Sequence, residues 1–304
     1  MKVAVCIVFY DDLEHLQRLA ISLNELDYKN FSVFFLDNDI HKKHTETFKK
    51  FFPSATEVYG QGNLGFASGN NRLFEVAIRN NCDAFWVLNP DMYPLQNSLT
   101  ELMNLLINYE DAAAVGPIVL YGDSITNPII QVAGIRINFS TQKKVNLHAG
   151  VAISEIAQKT PYQVDSLNGG SLLIRAACFK GTPIFEEMYF MYNDEIDLMR
   201  RIRVMKKSVW VCPTSLVFHY HNWHRNNEIG YHRMYFYMMR NKFLYWKKYG
   251  HYTHFLLGLI KNIVLFPIIA RFCYRTAGFR LIKFYYWGVL HGCFGKSGKS
   301  DIKF

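Results

Sequence analysis

An apolar, strand-like run at residues 85–88 ends in Asn89-Pro90-Asp91, so a carboxylate directly follows a proline. Pro90 fixes its own φ and favours an extended Asn89, which gives Asp91 a defined place just past a buried strand. Open α/β sheets bind ligands beyond the carboxyl ends of their strands. A carboxylate there suits a divalent cation such as Mg²⁺, which takes one or two protein carboxylates and completes its coordination with water and phosphate oxygens. An Asp that only begins a turn before the next helix is the alternative.

A second set of acids, Asp194, Glu195 and Asp197, opens a segment whose apolar residues have helical spacing. Acids in the first turn stabilise a helix through its dipole, so ordinary capping explains them as well as catalysis does. A carboxylate with the ordinary Glu pKa of about 4.3 is ionised at neutral pH and can take a proton from a hydroxyl group. Both explanations stay open at this point.

Three histidines, His219, His221 and His224, follow a short strand pattern and could form a zinc site. No Cys or carboxylate stands beside them at zinc-like spacing, which disfavours that site. A single histidine that helps to hold a phosphate-bound metal is the preferred interpretation.

The run at residues 60–65 spells G-x-G-x-x-G between a strand pattern and a helix pattern. A dinucleotide fold places this motif after its first strand, with an acid at the end of the next strand. Here it follows the third strand, and the next strand ends in Asn89-Pro90-Asp91, so a nicotinamide enzyme is disfavoured. The glycines still predict a tight turn or backbone close to a phosphate, with Asn70 and Asn71 adding donors at the start of the next helix.

The elements that must position these residues alternate along the chain. Helix patterns separate five apolar strand patterns, at residues 3–9, 31–36, 55–59, 85–88 and 113–119. This alternation predicts an α/β fold with a mostly parallel, doubly wound sheet and helices on both faces. After an irregular insertion at residues 121–163, further short strands are predicted at 171–175, 208–212 and 216–218.

Composition narrows the class of protein. The 304 residues are half apolar and 16% aromatic, with a net charge of +9 and six cysteines without C-x-x-C spacing. The length predicts two structural units, and the cysteine pattern with a strand-like N-terminus predicts a cytoplasmic chain with reduced thiols. The basic, aromatic C-terminal region predicts an anionic partner, either phospholipid or nucleic acid.

Five motifs in order resemble the inverting family 2 glycosyltransferases, and most nearly their bacterial rhamnosyltransferase-like branch. The motifs lie at residues 63–71, 88–91, 165–174, 189–198 and 217–219. Each is weak alone, and the specificity comes from their order over residues 1–245. The resemblance implies a GT-A fold, a nucleotide-diphosphate sugar donor and a divalent metal, Mg²⁺ or Mn²⁺.

The resemblance also implies an activity. We expect transfer of L-rhamnose from dTDP-rhamnose to a glycan or lipid-linked glycan in bacterial surface polysaccharide synthesis, as for O-antigen. A UDP-linked galactofuranose, hexose or N-acetylhexosamine is the alternative donor. A catalytically weak glycosyltransferase-like module is the alternative outside that activity.

The family's donor and metal roles fall on identifiable residues of this chain. Asn89 and Asp91 match the first and last positions of its D-x-D-like metal motif, and His219 matches a metal-proximal histidine. The residues that the resemblance places around the donor nucleotide and sugar are Tyr10, Asp11, Asp37, Asn63, Gly65 and Asn70. Of these, Asp37 matches the strand-end Asp that hydrogen-bonds the pyrimidine.

The catalytic base shows a departure from the family. Where the family usually has Glu-Asp, this chain has Asp194-Glu195, so the base is one methylene longer. Glu195 is therefore predicted as the base, with Asp194 as the alternative. Asp197 is predicted to orient the acceptor or the helix start.

Residues 228–304 form the predicted C-terminal region, after a glycosyltransferase domain at 1–227 with halves at 1–120 and 121–227. Basic residues interrupt each apolar run before it reaches the roughly 18 residues of a membrane span. This predicts a pair of amphipathic helices at 252–290 that lie on the anionic inner face of the cell membrane. A dimerisation or core helix is the alternative, and the oligomeric state stays open.

A binding protein is the competing class. Basic residues interleaved with aromatics also suit single-stranded nucleic acid. The acids at the strand ends would repel a phosphate backbone, so no nucleic-acid partner is expected.

Overall fold

The structure is a computed structural model that describes residues 1–10, 14–39, 41, 44–122, 126–156, 159–220 and 228–304. The chain folds into two compact units. The first comprises Met1–Ile137, Lys144–Phe185 and Leu198–His221. The second comprises Asn138–Lys143, Glu186–Asp197 and Asn222–Phe304. The predicted domain boundary between residues 227 and 228 stays a prediction.

Strands and helices alternate through the first half of the chain. They are β1 Val3–Phe9, α1 Leu16–Glu25, β2 Phe31–Asp37, α2 Thr45–Phe51, β3 Thr56–Glu57, α3 Gly65–Arg79, β4 Ala84–Leu88, β5 Met92–Pro94, α4 Ser98–Asn108 and β6 Ala112–Tyr121. The second half contains β7 Ile130–Val132, β8 Ile135–Asn138, β9 Lys143–Asn146, β10 Tyr162–Gln163, β11 Ser171–Arg175, α5 Asp194–Val204, β12 Ser208–His219, α6 Glu228–Lys248, α7 Tyr252–Val264 and α8 Phe266–Cys293.

The main sheet has the strand order β10-β12-β6-β11-β4-β1-β2-β3, with β5 paired to β12 and β7 to β6. Strands β3, β2, β1, β4, β6 and β12 run in one direction, while β11 lies antiparallel between β4 and β6. The predicted α/β fold with a mostly parallel central sheet is therefore confirmed. Its parallel strands bring their carboxyl ends to one edge.

The core of the first unit explains why these segments form strands. All five residues of β4 are buried, and β1 is buried along nearly its whole length. The rings of Phe9, Phe35, Phe48 and Phe52 stack in sequence, with Phe35 and Phe48 centroids 4.1 Å apart. Each fully buried ring or branched side chain contributes about 1.5–3 kcal/mol, so the apolar runs dominate the choice of structure.

Three sequence expectations need correction. The third strand is only Thr56–Glu57. Helix α3 already begins at Gly65, whose φ of +75° lets the backbone turn into the helix, so Asn70 lies in the second turn and not at the helix start. Residues 208–219 form one strand and not two, because a register shift between Cys212 and Leu216 absorbs Pro213 within β12.

The second unit is built on the packing of α6 against α8. Cβ atoms added at Gly288 and Gly292 would meet the backbone oxygens of Phe236 and Arg240, so these glycines permit the close approach. Buried Phe190, Phe236, Tyr237 and Phe284 form its aromatic cluster. Helix α7 has no buried residue, and α8 changes direction at Ala277 and Gly278.

Within the described residues, no helix is by itself long and apolar enough to cross a membrane. Helices α7 and α8 together meet that test of length and composition as a pair bent by 75°.

We predict that Gly292→Ala destabilises the second unit by about 1–3 kcal/mol. The new Cβ would stand 2.5 Å from the Arg240 carbonyl oxygen, which belongs to a helix backbone and cannot move aside cheaply. Urea unfolding measures the change. Leu256→Ala on α7, where the side chain is exposed, is the control and should change stability by less than about 0.5 kcal/mol. Equal stability of Gly292→Ala and the wild type would contradict this packing.

Candidate active site

The carboxyl ends of β1 and β2 lie side by side. Phe9 and Asp37 are register partners, and the Asn38 N–H donates to the Phe9 carbonyl at 2.9 Å. Tyr10, predicted to contact the nucleotide, follows β1 and is exposed. Asp11, predicted for the same loop, lies outside the described residues, as do His221 and His224.

Asp37 is buried at the end of β2. One carboxylate oxygen accepts the Asp39 N–H at 2.8 Å, and the other accepts the Thr45 hydroxyl at 3.3 Å. Each carboxylate oxygen has a second lone pair, so these bonds orient the group without exhausting it. Its contact with a donor pyrimidine stays a prediction.

Asn38 ties the end of β2 to the glycine-rich loop. Its Oδ1 accepts the Leu64 N–H at 3.0 Å, and its Nδ2 donates to the Gly65 carbonyl at 3.1 Å. Asn63 Oδ1 accepts the Gly65 N–H at 2.9 Å. Two asparagines therefore hold the turn that starts α3, and Asn38 had not been singled out in the sequence.

Asn70 is buried in the second turn of α3. Its Nδ2 donates to the Phe66 carbonyl at 3.0 Å. Its Oδ1 is buried without a hydrogen-bond partner among the described residues. A buried acceptor of this kind costs free energy unless a donor or cation reaches it. This is expected of a residue that lines a ligand site.

A tight turn aims Asp91 at the end of β4. The Met92 N–H donates to the Asn89 carbonyl at 3.1 Å, and Pro90 occupies the position where β-turns favour proline. The Asp91 carbonyl in turn accepts the Tyr220 N–H at 3.0 Å. The turn is thus held at both ends by backbone bonds.

The turn brings Asp91 to His219. The Asp91 Oδ2 to His219 Nε2 distance is 3.2 Å, and the two side chains are 16% and 14% exposed. His219 Nδ1 lies 2.7 Å from Oε1 of Gln131 on β7. When Nδ1 donates its proton to Gln131, the Nε2 lone pair lies on the side of the ring that faces Asp91 Oδ2, as in metal sites where a second residue orients the histidine.

Gly170 packs closely against the turn that contains Asn89. The Asn89 N–H donates to the Gly170 carbonyl at 2.9 Å, and the Gly170 N–H donates to Asn168 Oδ1 at 2.8 Å. A Cβ at Gly170 would stand 2.5 Å from the Met92 side chain and 3.1 Å from Asn89 Nδ2. A larger residue at this position would have to displace the end of the Met92 side chain and would press on the Asn89 and Asn168 amides.

The residues present fit a divalent metal with few protein ligands. No group of three or more His, Cys, Asp or Glu able to hold an ion occurs in the part of the chain that the structure describes. Asp91 and His219 supply one oxygen and one nitrogen, and Mg²⁺ or Mn²⁺ bound there would take its other ligands from water and a substrate diphosphate. Asn89 is close by on the same turn.

The predicted catalytic acids belong to the second unit, where they open α5. Asp194 is 3% exposed, while Glu195 is only partly buried. Asp197 is fully buried. Of the three, Glu195 is the most accessible to a substrate.

Asp197 is the centre of a buried network. Its Oδ1 accepts hydrogen bonds from Lys248 Nζ at 2.8 Å, Tyr249 Oη at 2.7 Å and Tyr189 Oη at 3.2 Å. Lys248 also reaches Glu186 at 2.6 Å. Burial, and then the Asp197 charge, raises the pKa of the Tyr189 phenol, so it remains a donor at neutral pH. Of the two roles predicted for Asp197, these hydrogen bonds favour orienting the helix start over orienting the acceptor.

Sequence reasoning missed the supporting residues. Gln131 lies in the region predicted as an irregular insertion, and neither spacing nor composition indicated that it meets His219. Asn168 and Gly170 did stand within a recognised motif, so that signal was present. Arg240 and Asn241 were interpreted only as part of a basic, aromatic stretch.

Comparisons with known proteins bear on the family and on the fold of this chain. The family profile described as "Glycosyl transferase family 2" matches residues 4–157. The chain is 24% identical over 233 residues to N-acetylglucosaminyl-diphospho-decaprenol L-rhamnosyltransferase from two strains of Mycobacterium tuberculosis, CDC 1551 / Oshkosh and ATCC 25618 / H37Rv. The match covers 71% of this chain and 75% of that protein.

Two solved structures share the fold. A crystal structure of GalNAc-T7 with UDP, GalNAc and Mn²⁺ superposes with a TM-score of 0.61 at 13% identity, over 81% of this chain and 48% of that one. A crystal structure of S. aureus TarS 1-349 superposes with a TM-score of 0.53 at 13% identity, over 81% of this chain and 65% of that one. The chain thus spans about half and about two thirds of these two proteins.

We predict that Asp91→Asn weakens Mn²⁺ binding in the presence of a nucleoside diphosphate by at least about tenfold, because it removes the negative charge of the carboxylate that contacts His219. Calorimetric titration of Mn²⁺ measures the loss. Asp27→Ala, at an exposed Asp of the same unit, is the control and should bind as the wild type does. Unchanged Mn²⁺ affinity in Asp91→Asn would overturn the metal assignment.

Proposed function

The chain belongs to glycosyl transferase family 2, and from this premise we propose that it is a metal-dependent, inverting glycosyltransferase. Its donor would be a nucleotide-diphosphate sugar and its acceptor a glycan or lipid-linked glycan. The observation that carries the proposal is the contact of Asp91 with His219 at 3.2 Å, at the carboxyl edge of the sheet. Such an arrangement suits a metal-bound diphosphate.

L-rhamnose from dTDP-rhamnose is the proposed sugar. The Mycobacterium tuberculosis relative is named as an L-rhamnosyltransferase, and its name describes an acceptor on a diphospho-decaprenol. That relative supports both the sugar and a lipid-linked acceptor for this chain. UDP-linked sugars remain the alternative donors to be tested.

The proposed reaction is a single in-line displacement at the anomeric carbon. The acceptor hydroxyl oxygen forms the new bond to that carbon with its own electron pair. The bond from the carbon to the diphosphate oxygen breaks, and its electron pair leaves with the nucleoside diphosphate. The hydroxyl proton goes to a carboxylate base. A Mg²⁺ or Mn²⁺ ion held by Asp91 and His219 would neutralise charge on the leaving diphosphate.

Glu195 is the proposed base. Asp194 is buried, and Asp197 has three donors on one oxygen, whereas Glu195 is partly exposed at the start of α5. A base must reach the acceptor hydroxyl within hydrogen-bond distance, which favours the accessible carboxylate.

A donor screen tests the proposed function. Purified protein is incubated with dTDP-rhamnose and UDP-sugars, with Mg²⁺, Mn²⁺ or chelator, and with a diphospho-polyprenol-linked N-acetylglucosamine acceptor. We expect metal-dependent transfer from dTDP-rhamnose, and NMR of the product should show inverted anomeric configuration. Retention of configuration would overturn the inverting mechanism, and transfer from a UDP-sugar alone would overturn rhamnose.

We predict that Glu195→Gln lowers single-turnover transfer by roughly 10²-fold or more with donor affinity nearly unchanged, because Gln keeps the size but cannot accept the proton. Asp194→Asn is the matched variant at the neighbouring acid. It should lose less rate and show its effect mainly in stability, by about 1–3 kcal/mol, because Asp194 is buried. If Asp194→Asn is the inactive one, the base has moved by one residue.

We also propose that α7 and residues 266–283 of α8 lie on an anionic membrane. Neither helix contains an Asp or Glu. Ile263 and Phe279 are each 74% exposed, and other exposed apolar side chains include Leu257, Val264 and Ile268. Five exposed basic residues accompany them: Lys261, Arg271, Arg275, Arg280 and Lys283. Each is worth about 1 kcal/mol near an anionic surface.

We predict that the double variant Ile263→Glu, Val264→Glu weakens sedimentation with phosphatidylglycerol vesicles at least about tenfold. The substitutions remove apolar area that the membrane would bury, and they add negative charge that the anionic lipid repels. Ile107→Glu, at an exposed isoleucine on α4 of the first unit, should bind as the wild type does. High salt should release part of the wild type. Equal binding of the double variant and the wild type would refute the surface.

A further inference from the structure

The segment that precedes the catalytic acids is conformationally strained. Phe190, Tyr192 and Asn193 have φ angles of +65°, +64° and +65°, a region that residues with a Cβ rarely adopt. Strain of this kind persists only where surrounding contacts over-determine the backbone. Because Asp194 and Glu195 follow at once, whatever holds residues 190–193 also determines where Glu195 points.

Asn241 of α6 makes the contacts that hold this segment. Its side chain is fully buried. Its Nδ2 donates to the carbonyls of Tyr189, Met191 and Tyr192 at 3.0, 2.7 and 2.9 Å. Two N–H bonds thus serve three acceptors within and beside the strained residues. A side chain without that amide would remove a donor from the partly buried carbonyls of Met191 and Tyr192.

Arg240 supports the same segment from the neighbouring position. Its Nη2 donates to the Tyr189 carbonyl at 2.8 Å, and its Nε donates to Asn241 Oδ1 at 2.9 Å, which orients the amide. Burial lowers the pKa of Arg240 to about 10, so the guanidinium stays charged at neutral pH. Among the described residues it has no carboxylate partner, and its charge is satisfied by carbonyls and by the Tyr237 ring at 4.6 Å. Burying an arginine costs free energy, which its hydrogen bonds to carbonyl oxygens offset.

The chain just after Asp194 and Glu195 also contacts α6. Asp197 binds Lys248, the last residue of α6, and Tyr249 just after it, about 10 Å beyond Asn241 by the helical rise. Asn193 accepts the Asp197 N–H at 3.1 Å on its carbonyl. Helix α6 therefore fastens the chain both before and after Asp194 and Glu195.

We propose that Arg240 and Asn241 are positioning residues for the transfer reaction. They hold the strained backbone at residues 189–192 so that the Glu195 carboxylate is aimed at the acceptor hydroxyl, whose proton it takes. This inference rests on the proposed function of Glu195. Neither residue touches the reacting atoms; both act through the backbone that carries the base.

The test compares Asn241→Ala in the full chain with Asn80→Ala, whose exposed amide donates to a single helix carbonyl. We expect Asn241→Ala to lower single-turnover transfer roughly 10²-fold with donor affinity unchanged, because small misplacements of a catalytic group have effects of that size. In the Glu195→Gln background the same substitution should cause little further loss, since both changes remove one function. Full additivity of the two losses would overturn the positioning role.

Hydrogen exchange of residues 189–197 provides a readout that does not depend on activity. Asn241→Ala should lose protection there, while Asn80→Ala keeps it. Unchanged protection in Asn241→Ala would show that Asn241 does not hold residues 189–192, whatever the reaction is. If protection is lost and Glu195→Gln still transfers sugar at the wild-type rate, Asn241 holds residues 189–192 but Glu195 is not the base. The positioning role then fails together with the base assignment. Should Asn241→Ala not fold, Arg240→Lys, which keeps the charge but loses the planar fork, is measured in the same way and must show the same pattern.

Discussion

The first unit depends on one constraint: strands that are buried on both faces have room for chemistry only at their ends. β1 and β4 are almost entirely buried, and an unpaired polar side chain inside them would lose its hydration. Because β1, β2, β4 and β12 run the same way, the polar residues that follow them emerge at one edge. Asp37, Asp91 and His219 all stand at such positions. The candidate metal site is therefore a consequence of how the sheet is buried.

The second unit solves the opposite problem, because it places polar groups in its interior. Asp197, Arg240 and Asn241 are all buried, and each is surrounded by partners of complementary hydrogen-bonding character. An interior with low dielectric strengthens such bonds and makes every broken one expensive. Helix α6 carries Arg240, Asn241 and Lys248, so it supports a backbone in which Phe190, Tyr192 and Asn193 have positive φ.

The C-terminal helices have features expected of both structures that the sequence had offered as alternatives. Gly288, Gly292 and Phe284 of α8 pack in the second unit, which agrees with a core helix. Helix α7 has no buried residue, and α8 exposes Ile268 before Gly278 and Phe279 directly after it, as expected of a surface that meets another apolar phase. Helix α8 changes direction at Ala277 and Gly278, and it has buried residues on both sides of this point, such as Cys273 before it and Leu281 after it.

The sequence by itself determined the elements whose signals are local. The apolar runs of β1, β2 and β4, the helical spacing of α4 and α5, and the turn at Pro90 all follow from residues a few positions apart, and so does the strand-end position of Asp91. Tertiary structure decided what depends on distant pairing: the single strand β12 with its register shift, the antiparallel β11, and the start of α3 at Gly65. It also decided that Gln131 meets His219 across 88 positions and that Asn241 holds carbonyls 49 to 52 positions away. Periodicity reports only which face of an element is buried, whereas these contacts depend on which elements pack together, and that is set by the whole chain.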